Sequence, residues 1–346
     1  MAPDSSREDL PSSAGSAGPL PGSADLLVDA LPPEMQGLLD QVRRVAPQET
    51  TLLLVGETGT GKTRLARLVH DLSPRRDEPF LVVDCGALTA NLIESELFGH
   101  LKGAFTGADR DRSGKLAAAG AGTLLLDEIN SLPLHLQAKL LRVVDERVFE
   151  PVGSNRSQPV RARLIAACNV PLEQEVAAGR FRSDLYYRLN VVAFYLPGLR
   201  DRRAAIAALA GKFLAEFAAR NRPDVRGLAP PVLRALEAYD WPGNIRELRN
   251  VIERAVALAP GPDIELEDLP EVVRAAAARP PLPAEMVNAV APSRTLAGAK
   301  EEAEILRIRE ALRKHGNNRL RAAAELGISR MGLYKKLRKY GLFEIE

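Results

Sequence analysis

Cysteine is almost absent from these 346 residues: Cys85 and Cys168 stand far apart, without the C-x-x-C spacing of a redox or zinc site. Both are expected to be reduced core residues, and no metal cluster is written in the chain. Long apolar runs are missing too. None approaches the roughly 18 residues that cross a bilayer, so no membrane partner is expected. Met1 to Leu10 lack the basic and apolar segments of a signal peptide, which points to the cytoplasm. No internal repeat is apparent. Residues 1–33, rich in Pro, Ser, Ala and Gly without periodicity, predict a disordered leader and leave no room for a regulatory domain.

What is present divides by pattern. With 46% hydrophobic and 27% charged residues, the chain is long enough for two or three domains with buried cores. Over 34–199, apolar runs at Thr51 to Val55, Phe80 to Val83, Thr123 to Leu126, Arg163 to Ala167 and Val191 to Tyr195 alternate with helical stretches. This is the α/β pattern of a parallel sheet flanked by helices. Over 200–272 the pattern turns helical (Ala204 to Arg220, Pro230 to Tyr239, Ile245 to Leu258), which predicts a lid. Residues 273–298 read as a linker around Arg279-Pro280-Pro281, and 299–346 as a small all-α unit. The net charge of +2 is uneven. Between Arg313 and Gly341 nine Arg or Lys face one acid, Glu325, so that end is built to meet a polyanion.

Gly56-Glu57-Thr58-Gly59-Thr60-Gly61-Lys62-Thr63 is a full G-x-x-x-x-G-K-[ST] match directly after a predicted strand and opening a predicted helix. Backbone N–H groups of such a loop cradle phosphates, Lys62 supplies charge to the outer phosphates, and the Thr63 hydroxyl suits Mg2+. ATP and Mg2+ are the expected ligands. About sixty residues later, Thr123-Leu124-Leu125-Leu126-Asp127-Glu128 delivers two carboxylates at the end of an apolar strand. Acids closing a strand are common by themselves. Together with the P-loop, they predict Asp127 in the magnesium shell and Glu128 orienting the attacking water.

Between these two motifs lies Gly103-Ala104-Phe105-Thr106-Gly107-Ala108, which phosphate chemistry does not need. This GAFTGA run resembles the signature loop of bacterial enhancer-binding proteins, the AAA+ ATPases that remodel RNA polymerase carrying sigma-54. The resemblance extends over roughly 34–346. It implies an AAA+ P-loop domain with a helical lid and a Fis-type helix-turn-helix, contact of the loop with the sigma factor, and a homo-oligomeric ring, a hexamer. It also implies further site residues: Asn169, closing Arg163-Leu164-Ile165-Ala166-Ala167-Cys168-Asn169, as a γ-phosphate sensor; Arg182 and Arg188 as fingers reaching a neighbouring subunit; and Arg246 as the lid's phosphate sensor. In Trp241-Pro242-Gly243-Asn244-Ile245-Arg246-Glu247-Leu248, Asn244 is expected to cap the helix, with Glu247 completing a capping box.

The carboxyl-terminal unit is expected to place helices at about 300–314, 318–326 and 330–340, with Ser329 capping the last. Arg319, Arg330, Lys335, Lys336, Arg338 and Lys339 are the candidate contacts to double-stranded DNA. Departures from the family pattern are Leu101 and Arg161 in place of acids, Cys168 in place of Thr, and Asp84 where an Asn usually restrains the catalytic Glu. An ionised Asp has no donor to offer and repels Glu128, unless the pair shares a proton as close carboxylates can; Asp84 joins the catalytic candidates and weaker restraint is expected. The resulting reading is a sigma-54-dependent activator that binds upstream DNA and hydrolyses ATP, controlled by expression level, a partner activator or an inhibitory protein. Two alternatives are a DNA-binding regulator whose nucleotide only organises its oligomer, and an AAA+ remodeller of another protein.

Overall fold

A computed structural model describes residues 33–277 continuously and, beyond them, 307, 308, 312, 315, 319–326, 333 and 336. The chain separates into two compact units, Met1–Arg279 and Pro280–Glu346. The expected leader and the centre of the expected linker lie outside the described residues. So do Arg330, Lys335, Arg338 and Lys339.

In the first unit, β1 (Leu52–Val55), β2 (Phe80–Asp84), β3 (Thr123–Asp127), β4 (Arg163–Cys168) and β5 (Val192–Tyr195) form one sheet. Its spatial order is β2-β3-β4-β1-β5, with every pairing parallel. The five runs expected from the sequence supply these strands, with ends shifted by one residue. They read as continuous apolar runs because both sheet faces are covered. Leu53 and Val55 of β1, Leu124 and Leu126 of β3, and Leu164 and Ala166 of β4 enter one core with Leu97, Leu136, Leu140 and Leu185. Their neighbours Leu52, Leu54, Leu125, Ile165 and Ala167 enter the opposite core with Val42, Leu65 and Val69. The first core is covered by α3 (Ala90–Phe98), α4 (Leu134–Asp145) and α5 (Ser183–Leu189), the second by α1 (Pro33–Val45) and α2 (Lys62–Asp71). Buried Arg163 donates to the carbonyls of Val45 (3.1 Å), Ala46 (2.5 Å) and Thr50 (3.3 Å), tying the end of α1 to the sheet.

The lid consists of α6 (Ala204–Asn221), α7 (Pro230–Ala238) and α8 (Asn244–Leu258) around Phe213, Phe217, Leu236, Trp241, Leu248 and Ile252. Two expectations are corrected here. The linker does not begin at 273, because Glu271–Ala277 is a helix whose Val273 is fully buried in the lid core. Asn244 does not cap α8: it is the first helical residue, with φ +52°, Gly243 precedes it as the cap, and its side chain is engaged elsewhere. Glu247 does accept the Gly243 N–H, at 2.8 Å.

In the second unit, Ile308, Leu312, Ala322, Ala323 and Leu333 form a buried cluster with Leu326 packed against it, and Arg319–Glu325 is helical within the expected second helix. No described helix is long and apolar enough to cross a membrane.

Candidate functional site

The carboxyl ends of β1 and β3 bring the two phosphate motifs together. Gly56 opens the loop with its N–H on the carbonyl of Cys168 (3.2 Å), the residue that ends β4 immediately before Asn169. The loop then turns into α2 through Gly61, whose φ of +104° suits glycine alone. The Thr60 hydroxyl donates to the carbonyl of Glu57 at 2.8 Å, bracing the turn. The Lys62 ammonium donates to the carbonyls of Gly56 (2.6 Å) and Glu57 (3.0 Å). Burial draws its pKa down, opposed chiefly by the Asp127 carboxylate.

Asp127 is held from two sides. Its Oδ2 accepts the Thr63 hydroxyl at 3.2 Å and its Oδ1 accepts the Glu128 N–H at 3.0 Å. A hydroxyl and a carboxylate oxygen side by side at the loop are a hard-oxygen donor set that fits Mg2+. Glu128 follows in the left-handed region, φ +52° and ψ +44°, a conformation unfavourable for a non-glycine residue and typical of strained functional positions. Its Oε2 lies against Gly86: a Cβ there would be 2.5 Å from that oxygen and 3.5 Å from Asp84 Oδ1. The two acids thus converge on one glycine, but Asp84 Oδ1 is also occupied, accepting the N–H groups of Gly86 (2.9 Å) and Ala87 (3.1 Å).

A cleft of about 360 Å3 lies between this site and the lid. Thr58, Gly59, Gly61, Lys62, Thr63, Asp127 and Glu128 line one side, and Phe213, Ile245, Arg246, Arg249 and Asn250 the other. Arg249 and Asn250 escaped the sequence reading, although their spacing from Arg246 along α8 places all three on one helix face. The Asn169 side-chain oxygen is buried with no hydrogen-bond partner. A buried acceptor of that kind calls for a polar ligand or water.

Arg182 and Arg188 do not line this cleft. Arg182 pairs with Asp184 (2.7 Å) and Arg188 with Asp145 (2.8 Å), both at exposed positions. The buried Gln137 side chain holds the start of this segment, accepting the Arg182 N–H at 2.9 Å and donating to the carbonyls of Leu132 (2.7 Å) and Arg180 (3.0 Å). No motif flagged Gln137.

The loop Gly103–Ala108 stands on a separate stem. Gly99–His100 pairs antiparallel with Arg112–Ser113, and the Gly103 N–H closes the turn on the carbonyl of Ala108 at 2.8 Å. Gly103 and Gly107 have φ of +80° and +96° with open space around them, so backbone conformation and not crowding demands glycine there. Phe105 is 39% exposed and Thr106 exposed, whereas Ala108 is buried. The Phe105 ring meets His100 edge-on at 4.9 Å, and the Ser95 hydroxyl lies 2.7 Å from His100 Nδ1. At the loop's base the Leu101 N–H donates to the carbonyl of Val152 (3.0 Å). Arg161 is exposed, and its carbonyl accepts from Arg75 at 2.8 Å. Cys85 and Cys168 are free and buried, with burial pushing both thiols up to about 12.

Residues 30–195 match the Sigma-54 interaction domain, 200–285 the AAA+ ATPase lid domain and 301–340 the Fis family of bacterial regulatory proteins. The transcriptional regulatory protein ZraR of Salmonella typhimurium is 48% identical over 305 residues, 88% of this chain and 67% of that protein. The chain belongs to the sigma-54-dependent transcriptional activators. Among other members, the regulatory protein AtoC of Escherichia coli is 46% identical over 310 residues, 90% of this chain and 67% of that protein. The crystal structure of NtrX from Brucella abortus in complex with ADP superposes with a TM-score of 0.66 at 32% identity, covering 89% of this chain and 68% of that one. The ATP complex of the same protein gives 0.63 at 31%, covering 90% and 68%. This activator therefore has the AAA+ fold, a parallel sheet flanked by helices with a helical lid, and a Fis-type helix-turn-helix.

Proposed function

We propose that this activator hydrolyses ATP to ADP and phosphate and uses the cycle to convert sigma-54 RNA polymerase from a closed to an open promoter complex. In this reading the amides of Gly56 to Thr63 and the Lys62 ammonium hold the phosphates, and Thr63 and Asp127 hold Mg2+. The metal, when bound, neutralises developing phosphate charge. Glu128 orients a water on the γ-phosphorus, with ADP as the leaving group. Asn169 and Arg246 sense the phosphates. Arg182 and Arg188 act on the site of the next subunit in a homo-oligomeric ring, a hexamer, which is supported by their exposure away from the chain's own cleft.

Gly103, Ala104, Phe105, Thr106, Gly107 and Ala108 engage the sigma factor, and Arg319, Arg330, Lys335, Lys336, Arg338 and Lys339 of the 299–346 domain engage upstream DNA. The protein works in the cytoplasm, under a regulatory partner or its own expression level. The observation that carries this reading is the pairing of a phosphate site, with Asp127 locked on Thr63, and a hairpin that exposes Phe105 and Thr106 outside it. The deciding experiment is an open-complex assay with sigma-54 polymerase, ATP present or omitted. Thr106→Ala is expected to retain hydrolysis and lose promoter opening. Full opening by that variant contradicts the assigned loop role.

A further inference from the structure

The P-loop carries a carboxylate that phosphate binding does not need. The Glu57 side chain does not line the cleft; Oε1 accepts from Arg200 Nη2 at 2.5 Å, while Oε2 accepts from Arg200 Nη1 at 2.8 Å and Asn244 Nδ2 at 3.1 Å. Arg200 lies in the segment between sheet and lid, and Asn244 is the first residue of α8. The Arg200 guanidinium, seconded by the Asn244 amide, holds the Glu57 carboxyl down at about 2.

Asn244 is fully buried. Beyond its bond to Glu57, Nδ2 donates to the Thr58 carbonyl at 3.0 Å and Oδ1 accepts the Leu199 N–H at 2.7 Å. Every polar atom of this amide is therefore used, and one side chain joins the P-loop, the interdomain segment and the lid. A buried amide with all its partners satisfied specifies a single geometry, and losing one partner leaves a donor or acceptor unpaid in solvation. Two further contacts flank it: the Ile245 N–H donates to the Gly59 carbonyl at 3.0 Å, and the Arg202 guanidinium donates to the Thr60 carbonyl at 2.8 Å. Gly59 has φ +81°, and a Cβ there would lie 2.3 Å from the Gly243 carbonyl and 3.1 Å from Arg246 Cβ. The loop and the start of α8 thus touch with no spare space, and Arg246 follows Asn244 by two residues.

We infer that Glu57 is a positioning residue: through Asn244 it fixes the start of α8 against the P-loop and so holds Arg246 over the phosphates. This deepens the proposed role of Arg246 and rests on it. A rearrangement of the loop at Glu57 to Gly59 is transmitted to the lid because three hydrogen bonds tie these residues to Asn244 and Ile245 of α8, while Arg200 and Arg202 of the connecting segment hold Glu57 and Thr60.

Two measurements on the full chain test this. Hydrogen exchange reads the latch itself. Glu57→Ala is expected to speed exchange of the Leu199 and Ile245 amides by about tenfold, the loss of roughly one hydrogen bond's net worth, while Glu57→Gln, which still offers an oxygen to Asn244, retains most of the protection. Hydrolysis reads the positioning. Glu57→Ala is expected to lower kcat by about tenfold and to leave the affinity for ADP within about threefold, because Lys62 and the loop amides are intact; combined with Arg246→Ala it adds no further loss. Unchanged exchange in Glu57→Ala overturns the latch. Faster exchange with an unchanged kcat, when Arg246→Ala alone does impair kcat, overturns the positioning. If Arg246→Ala hydrolyses normally, the Arg246 role and the positioning claim fall together, a result distinguishable because exchange still rises in Glu57→Ala.

Discussion

Gly86→Ala separates the catalytic role of Glu128 from the stability of the fold. A Cβ at Gly86 would stand 2.5 Å from Glu128 Oε2, against 3.4–4 Å for ordinary contact, and its next neighbours, Asp84 Oδ1 and Ser131 Oγ, are already at 3.5 Å. Gly86 is not among the glycines with positive φ, so alanine meets no backbone strain. The clash falls on the end of a flexible side chain. Folding stability is expected to change by less than about 1 kcal/mol, within the range of substitutions that disturb no buried packing. The carboxylate, however, must retreat by about 1 Å, and a misplacement of that size lowers the rate on the order of 100-fold, about 2.7 kcal/mol of activation free energy. Phosphate release at saturating ATP, thermal melting and fluorescent-nucleotide affinity read the three quantities. The expected result is a protein that melts and binds nucleotide like the parent but hydrolyses slowly. A parental kcat in a folded Gly86→Ala protein refutes the placement of Glu128 as the group that orients water.

Arg182→Ala and Arg188→Ala are each expected to lose hydrolysis and to regain part of it on mixing with Lys62→Ala protein, whose intact arginines serve the neighbour's intact P-loop; no rescue, with subunit exchange verified, argues for action within one subunit. Asp84→Asn keeps the oxygen that accepts the Gly86 and Ala87 N–H groups, removes a like-charge repulsion with Glu128 on the order of 1 kcal/mol, and adds a donor beside it. The basal ATPase rate is expected to fall several-fold and its stimulation by sigma-54 to appear; if both stay as in the parent, Asp84 does not govern Glu128.

The parts that the sequence makes legible are those whose chemistry is local. A P-loop announces itself because glycines, lysine and threonine must sit at fixed spacing between a strand and a helix, and the five apolar runs appear as strands because both faces of the sheet are covered. The parts that stay hidden depend on partners far along the chain. Arg163 looks like an ordinary strand residue until it is seen buried against the carbonyls of Val45 and Ala46. Asn244 has the residue type and spacing of a helix cap. Only the fold shows its φ of +52° and an amide turned to Glu57, 187 positions away. Gln137 belongs to no pattern that distinguishes it from a solvated helix residue, whereas Arg249 is marked only by its three-residue spacing from Arg246, which gains meaning once the cleft is seen.

The chain joins chemistry and loop from both sides: the second arm of the stem, Arg112–Ser113, leads into β3, which ends at Asp127, and the first arm is reached from β2. From the turn at Asp84 to Ala87, which faces Glu128, the chain enters α3, and α3 ends at Gly99–His100, the first arm of the stem that raises Phe105. Ser95 on α3 contacts His100, and His100 contacts Phe105. Gly86, against which the Glu128 carboxylate lies, thus precedes the start of a helix whose other end leads into the loop's stem. Ile93, Leu97 and Phe98 are buried in the sheet core, so α3 is anchored along its length, and Gly99, with φ +76°, turns the chain from the helix into the stem. Gly99 is itself crowded: a Cβ would lie 2.5 Å from the Arg112 carbonyl and 2.6 Å from the Gly114 nitrogen. The two arms of the stem are thereby packed together at their base, and the hairpin carries Phe105 and Thr106 at its exposed tip.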